Sequence, residues 1–316
     1  MTTQPLFIVP TKDGKTPLEI LVEDYLDSCR ARGLARSTVE QTYTFCLVQI
    51  FLPWCRENGI REIRELNQRT LDRFTSVLLR SGGRRGTSLS PDTVHTYVRT
   101  VRQFLTWAQR EGEQMTAARP QLPRLSRRVL DVLSRHEIDT LEAAAETERD
   151  RLIIRLLADT GIRVGELCAL KFDDLTRHQR GALMKIRGKG GKERLVPVRP
   201  ELTRRLERFI RGRAAEGGST RLFVSRRRTG DERDPLTTNG VQQMVRSLAY
   251  NVGITKRVHP HLFRHSFATE ALRKGMNPVQ LSNILGHSGL RMIERTYSHL
   301  NASDAYDAIL RMMVDD

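Results

Sequence analysis

The chain has 316 residues, 39% of them hydrophobic and 28% charged, with a formal net charge of +16 and a pI near 10.4. That length is long for one core and suits two domains, and the charge points to a polyanionic partner, nucleic acid first. No run approaches the ~20 apolar residues of a membrane span, and Cys29, Cys46, Cys55 and Cys168 form no C-x-x-C pair, so they read as buried free thiols of a reducing, cytoplasmic compartment.

Residues 1–15 carry no periodicity and read as a flexible tail. Thr16-Pro17-Leu18-Glu19 is a capped helix start, followed by Leu18, Leu21, Val22, Tyr25, Leu26 and Cys29 at helical spacing. Gly33 ends that helix. Ser37-Thr38-Val39-Glu40 repeats the capping pattern and predicts a longer helix that Pro53 kinks or stops. A third helix fits Thr70 to Arg80, the run 81–86 with Arg84 and Arg85 is a basic loop, and Ser90-Pro91 opens a fourth helix reaching Ala108. Four helices without strand signals predict an all-α bundle.

Residues 113–129, with Pro120, Pro123, Arg119, Arg124, Arg127 and Arg128, read as a linker whose arginines suit a phosphate backbone. Ser134-Arg135-His136-Glu137 is another capping box and opens a second domain. Leu152, Ile153, Leu156 and Leu157 predict a buried helix, Ala182–Ile186 and Arg194–Val198 two short strands, and Leu202, Leu206, Phe209 and Ile210 a further helix. Leu222–Val224 fits a short strand and Arg226–Arg228 a basic loop. Helices follow over Val241–Val252, His261–Arg273 and Pro278–Leu285. The fold class is mainly α with a small β-sheet.

The chemistry-bearing residues fall in three places. Thr160-Gly161-Ile162-Arg163-Val164-Gly165-Glu166-Leu167 carries an arginine at the entry to a helix. Gly188-Lys189-Gly190-Gly191-Lys192-Glu193-Arg194 is a glycine-rich turn between the two strands. The stretch from His261 to Tyr297 holds His261-x-x-Arg264-His265, then Leu285-Gly286-His287, then Tyr297. Arg264 offers a planar fork for two phosphate oxygens, the histidines donate or relay protons near neutral pH, and the Tyr297 phenol can attack phosphorus. Glu166 stands one helical turn after Arg163, where it orients neighbours rather than reacting. The turn lacks the G-x-x-x-x-G-K-[ST] spacing of a nucleotide loop, and no H-E-x-x-H accompanies the histidines, so neither ATP nor metal is implied.

In this order and spacing the motifs resemble the tyrosine recombinase (integrase) family, and within it the Xer-like members, over about residues 17–313. The resemblance implies an N-terminal α-helical core-binding (SAM-like) bundle over 16–112 that clamps DNA. After the linker follow a C-terminal α+β catalytic domain over 130–301 and, over 302–316, a tail helix that docks between protomers. It implies Arg163, Lys189, His261, Arg264, His287 and Tyr297 as catalytic residues: the arginines and His287 on phosphate oxygens, and Lys189 as the acid for the leaving 5′-oxygen. His261 is a proton acceptor for the phenol or a phosphate ligand, with Glu166 and His265 supporting. Arg84, Arg85, Arg127, Arg128, Lys192 and Arg194 are candidate DNA-binding residues.

The implied activity is site-specific recombination through a 3′-phosphotyrosyl link, without cofactor, on double-stranded DNA. The implied assembly is a tetramer on two sites at the nucleoid, and the resemblance admits a second recombinase as partner. A type IB topoisomerase shares the chemistry but reseals the same strand, and an accessory DNA-binding protein would not cleave. Chromosome-dimer resolution and mobile-element integration both fit this architecture.

Overall fold

The computed structural model describes residues 14–80, 88–125, 131–188, 191–215, 218–229 and 232–286. By its contacts the chain divides into two units, Met1–Arg127 and Arg128–Asp316. Arg84, Arg85, Arg127, Arg128, Lys189, His287, Tyr297 and the tail over 302–316 lie outside the described residues.

In the first unit, α1 (Pro17–Ala31) starts on the predicted box: Glu19 N donates to Thr16 Oγ1 at 3.3 Å and Thr16 N to Glu19 Oε2 at 2.9 Å. The second helical stretch opens as α2 (Arg36–Thr38), passes through π turns at Val39–Thr44 and Leu47–Phe51, and continues as α3 (Leu52–Glu57). Two expectations are corrected here. Ser37 does not cap, because Ala35 holds the cap position and Ser37 and Thr38 already lie in the first turn. Of the kink or stop expected at Pro53, the stop does not occur: the helix continues as α3, with Pro53 in its first turn just after a π turn.

The bundle is completed by α4 (Gln68–Arg80) and α5 (Pro91–Arg110), the latter capped by Ser90, whose Oγ accepts from Thr93 N at 3.1 Å. Its centre is aromatic. Phe51 meets Phe74 edge-on with centroids 5.2 Å apart, Trp54 meets Phe74 at 5.1 Å, and Tyr25 meets Phe104 at 5.6 Å. Such pairs add roughly 0.5–1.5 kcal/mol each beyond the area they bury. The cysteines are free and buried; burial pushes the Cys46 thiol up to about 12, so it is inert as a nucleophile.

The stretch expected to be a linker is anchored on this unit over its described part. Thr116 Oγ1 donates to Leu66 O at 2.7 Å, and Arg119 turns inward to donate to Leu105 O at 3.3 Å and Ala118 O at 2.6 Å. Arg119 thereby satisfies carbonyls instead of presenting its charge to a phosphate backbone.

The second unit is built on α7 (Glu148–Thr160), in which Leu152, Ile153, Leu156 and Leu157 are all 0% exposed. Around it pack α6 (Arg135–Ala144), opened by the Ser134–Glu137 box, α8 (Val164–Ala169) and α9 (Pro200–Ala215). A three-stranded antiparallel sheet, β1 (Leu175–His178), β2 (Gly181–Arg187) and β3 (Glu193–Val198), lies in that order. Ala182, Met184 and Ile186 alternate into the core, as strand geometry requires, opposite Val198, Val196 and Arg194 on β3.

A second ribbon pairs β4 (Val224–Thr229) with β5 (Glu232–Pro235). Leu222 and Phe223 only lead into it, and Arg226–Arg228, expected as a loop, lie within the strand, which is set by backbone pairing and not by an apolar pattern. The unit continues with α10 (Thr238–Asn251), α11 (Pro260–Arg273) and α12 (Pro278–Leu285). No helix among the described residues is long and apolar enough to cross a membrane.

Candidate active site

The site is framed by two glycines that only glycine can satisfy. Gly161 ends α7 at φ 61°, and a Cβ there would lie 2.6 Å from Phe267 Cδ1 and 2.8 Å from Leu285 Cδ2. Its bareness lets the end of α7 reach α11 and α12. Gly286 ends α12 at φ 64°, in the left-handed region that favours glycine.

A helix C-terminus leaves carbonyls without donors and carries partial negative charge. At α12 three consecutive carbonyls each receive an arginine. Arg194 Nε from β3 donates to Ile284 O at 2.7 Å, Arg264 Nη2 from α11 to Leu285 O at 2.7 Å, and Arg163 Nη2 from the start of α8 to Gly286 O at 2.9 Å. Arg264 also donates to Gly161 O at 2.8 Å and is only 5% exposed. Arg163 is the more open of the family pair, with its side chain 38% exposed.

Glu166 gathers this set. It accepts from Arg163 N at 2.8 Å, Arg163 Nη1 at 2.9 Å, and Arg194 Nη1 and Nη2 at 2.9 and 2.7 Å. Burial alone would raise its carboxyl, but these bonds, Arg194's first, hold it below the ordinary value. Arg163 and Arg194 therefore share one carboxylate, while Arg264 reaches the carbonyls of Gly161 and Leu285.

His261 sits in the first turn of α11 and keeps an exposed face, while its ring lies among charges. Burial, then Arg264 and Arg163, lower its pKa. His265, one turn on, is lowered by burial, His261, His259 and Arg264. His259, which the motif reading passed over, is lowered by burial, His261 and Arg257; its signal was the His259-Pro260-His261 run. All three favour the neutral, proton-accepting form at neutral pH. Among the described residues, no three His, Cys, Asp or Glu side chains converge as metal ligands would.

The flanks of the lysine turn are described, and Lys189 itself is outside them. Gly188 N donates to Lys192 O at 2.7 Å, closing the hairpin between Arg187 and Glu193. A Cβ at Gly188 would lie 3.9 Å from both Glu166 Oε1 and Arg194 Nη1, so the residue preceding Lys189 borders the arginine set. Lys192 is exposed on this turn. Arg194, expected on DNA, faces Glu166 and α12 instead, with its side chain 13% exposed. His287 and Tyr297, too, lie outside the described residues. Sequence gave no sign of the Arg194 contacts, whose partners stand 28 and 90 positions away.

Residues 131–304 match the phage integrase family. A tyrosine recombinase of Pseudothermotoga lettingae is 30% identical over 270 residues, 84% of this chain and 89% of that protein. The tyrosine recombinase XerC of Xanthomonas campestris pv. campestris is 30% identical over 264 residues, 81% of this chain and 77% of that one. Among solved structures, the XerH site-specific recombinase bound to palindromic difH substrate in a post-cleavage complex superposes with a TM-score of 0.70 at 20% identity, covering 91% of this chain and 83% of that one; it shows the fold. These matches favour recombination over the strand-relaxing and non-cleaving alternatives. The chain belongs to the phage integrase family and is a Xer-like tyrosine recombinase, an enzyme of DNA strand breakage and rejoining.

Proposed function

We propose that this chain cleaves double-stranded DNA at specific sites, with Arg163, Lys189, His261, Arg264, His287 and Tyr297 as its catalytic residues. The observation that carries the reading is the meeting of Arg163 and Arg264 at the end of α12, beside His261 and immediately before His287 in sequence. A pentacoordinate phosphorus gains negative charge, and preorganised cations in a partly dry site stabilise it. Tyr297 Oη attacks phosphorus, its proton passes to neutral His261, and the bond to the 5′-oxygen breaks as Lys189 supplies that oxygen's proton. The products are a 3′-phosphotyrosyl link and a free 5′-hydroxyl. Attack by a partner strand's 5′-hydroxyl reverses the step, and the link conserves the bond energy.

In this reading the first unit clamps the duplex, with Arg84, Arg85, Arg127, Arg128 and Lys192 on phosphates, while Arg194 stays with Glu166. Four protomers on two sites, linked through the tail over 302–316, complete an exchange, and a second recombinase can take two of the places. The site of action is the nucleoid. The likeness to XerH recombinase bound to difH substrate in pre-cleavage and post-cleavage complexes supports DNA as the partner. The test is a nicked suicide substrate that traps the covalent complex. The native chain accumulates the adduct, and Tyr297→Phe binds the same DNA with similar affinity and forms none. Adduct formation by the Phe variant would move the nucleophile elsewhere.

A further inference from the structure

We infer that Arg194 is a positioning residue that ties the lysine turn to the end of α12 through Glu166. The inference rests on the proposed cleavage reading for its kinetic consequence, and on the geometry alone for the link itself.

Three of the five N–H donors of Arg194 are committed within the fold. Nη1 and Nη2 fork onto the two Glu166 oxygens at 2.9 and 2.7 Å, and Nε reaches Ile284 O at 2.7 Å. Such a planar fork fixes an angle as well as a distance, which a lysine ammonium cannot do. Arg194 follows Glu193, whose pairing with Arg187 closes the ladder at the turn, so it stands at the foot of the lysine turn. Through Ile284 it holds the last turn of α12, ahead of Gly286 and His287. Through Glu166 it holds Arg163, whose backbone N and Nη1 bond the same carboxylate.

Gly286 gives independent support. A Cβ at this position would lie 3.0 Å from Arg194 Nη1 and 3.1 Å from its Nε and Cζ. The guanidinium thus lies against the bare Cα of the glycine in Leu285-Gly286-His287. That glycine serves the left-handed turn and the seat of Arg194 together. One side chain therefore touches the three segments that carry Lys189, Arg163 and His287 in sequence.

The test compares Arg194→Lys, which keeps the charge, with the native chain and with Glu166→Gln and the double variant. A positional error of about 1 Å can cost on the order of 10²-fold in rate. Single-turnover adduct formation at saturating protein should fall by that order in Arg194→Lys, while affinity for one DNA site and its salt dependence stay within about twofold. The double variant should be no slower than the slower single one, because both changes cut the same link.

In Arg194→Gln, which removes the charge, a weakened affinity with a salt slope shallower by about one phosphate would return Arg194 to direct DNA contact and overturn the inference. Unchanged cleavage by Arg194→Lys would overturn it too. If the native chain forms no adduct, the cleavage reading fails, and amide hydrogen exchange without DNA still decides the link. Exchange should quicken in both the 188–192 and 284–286 segments of Arg194→Lys, and protection kept in either one contradicts the tie.

Discussion

Two arginine clusters in the second unit use the same residue type for opposite ends. At the α6–α7 face, Arg155 meets Asp139 at 2.8 Å, Glu142 closely, and Asp159 at 4.0 Å, while Arg135 reaches Asp139 and Asp159 at 3.4 Å. Charge there is cancelled by carboxylates. At the end of α12, Arg163 and Arg194 share Glu166, and Arg163, Arg194 and Arg264 each bond a carbonyl of that helix end. One carboxylate there faces two guanidiniums, beside a surface on which the Arg163 side chain is 38% exposed. The first cluster fastens helices, and in the proposed reading the second meets a phosphate.

The contrast can be broken most forcefully at Arg163. Arg163→Ala should slow adduct formation by roughly 10²–10³-fold, the usual cost of losing one preorganised donor to a transition-state oxygen. Its melting temperature should move little, because the side chain is 38% exposed. Rates from single-turnover assays and melts from calorimetry check both halves.

A smaller effect is expected at Gly286. Gly286→Ala places a Cβ in the left-handed region, at about 1–2 kcal/mol, and within 3.0 Å of Arg194. Denaturant unfolding should show that loss, and cleavage should fall by about tenfold as the guanidinium is displaced.

The smallest effect distinguishes the clusters by pH. His259, His261 and His265 have folded pKa values below the ordinary 6.5. Their contribution to stability is full above pH 6.5 and is lost as pH falls through 6.5 toward the lowered folded values, since the unfolded chain takes up protons first. The carboxylates Glu166 and Asp139 are also lowered, and theirs is present above the ordinary carboxyl value and lost only as pH falls through the lower folded one. Stability lost between pH 7 and 5 should therefore belong to the histidines, and His261→Asn should flatten that slope in urea titrations.

Much of this fold could be read from local chemistry. Thr16 with Glu19, Ser90 before Pro91, and Ser134 with Glu137 mark helix starts that the structure keeps, because a cap needs only neighbours. The same logic misled at Ser37, where a cap-like residue sits inside a turn. β1 went unread because its short run is mostly exposed and shows no alternation, and the Arg226–Arg228 strand because its pairing lies in the backbone. At the site, Arg163, Glu166, His261 and Arg264 were legible as motifs. The inward turn of Arg194 and Arg119 was not, since an arginine's partner is set by tertiary approach and leaves no period in the sequence.

The most direct measurement is the yield of covalent DNA adduct, per folded molecule, from the native chain, Arg264→Lys and Arg155→Met side by side. Arg155→Met should melt several degrees lower yet trap DNA like the native chain, because its cluster only fastens helices. Arg264→Lys should lose trapping, since an ammonium cannot hold Gly161 O and Leu285 O and still meet a phosphate. Equal losses in the two variants would contradict the division between a cancelled and a poised cluster.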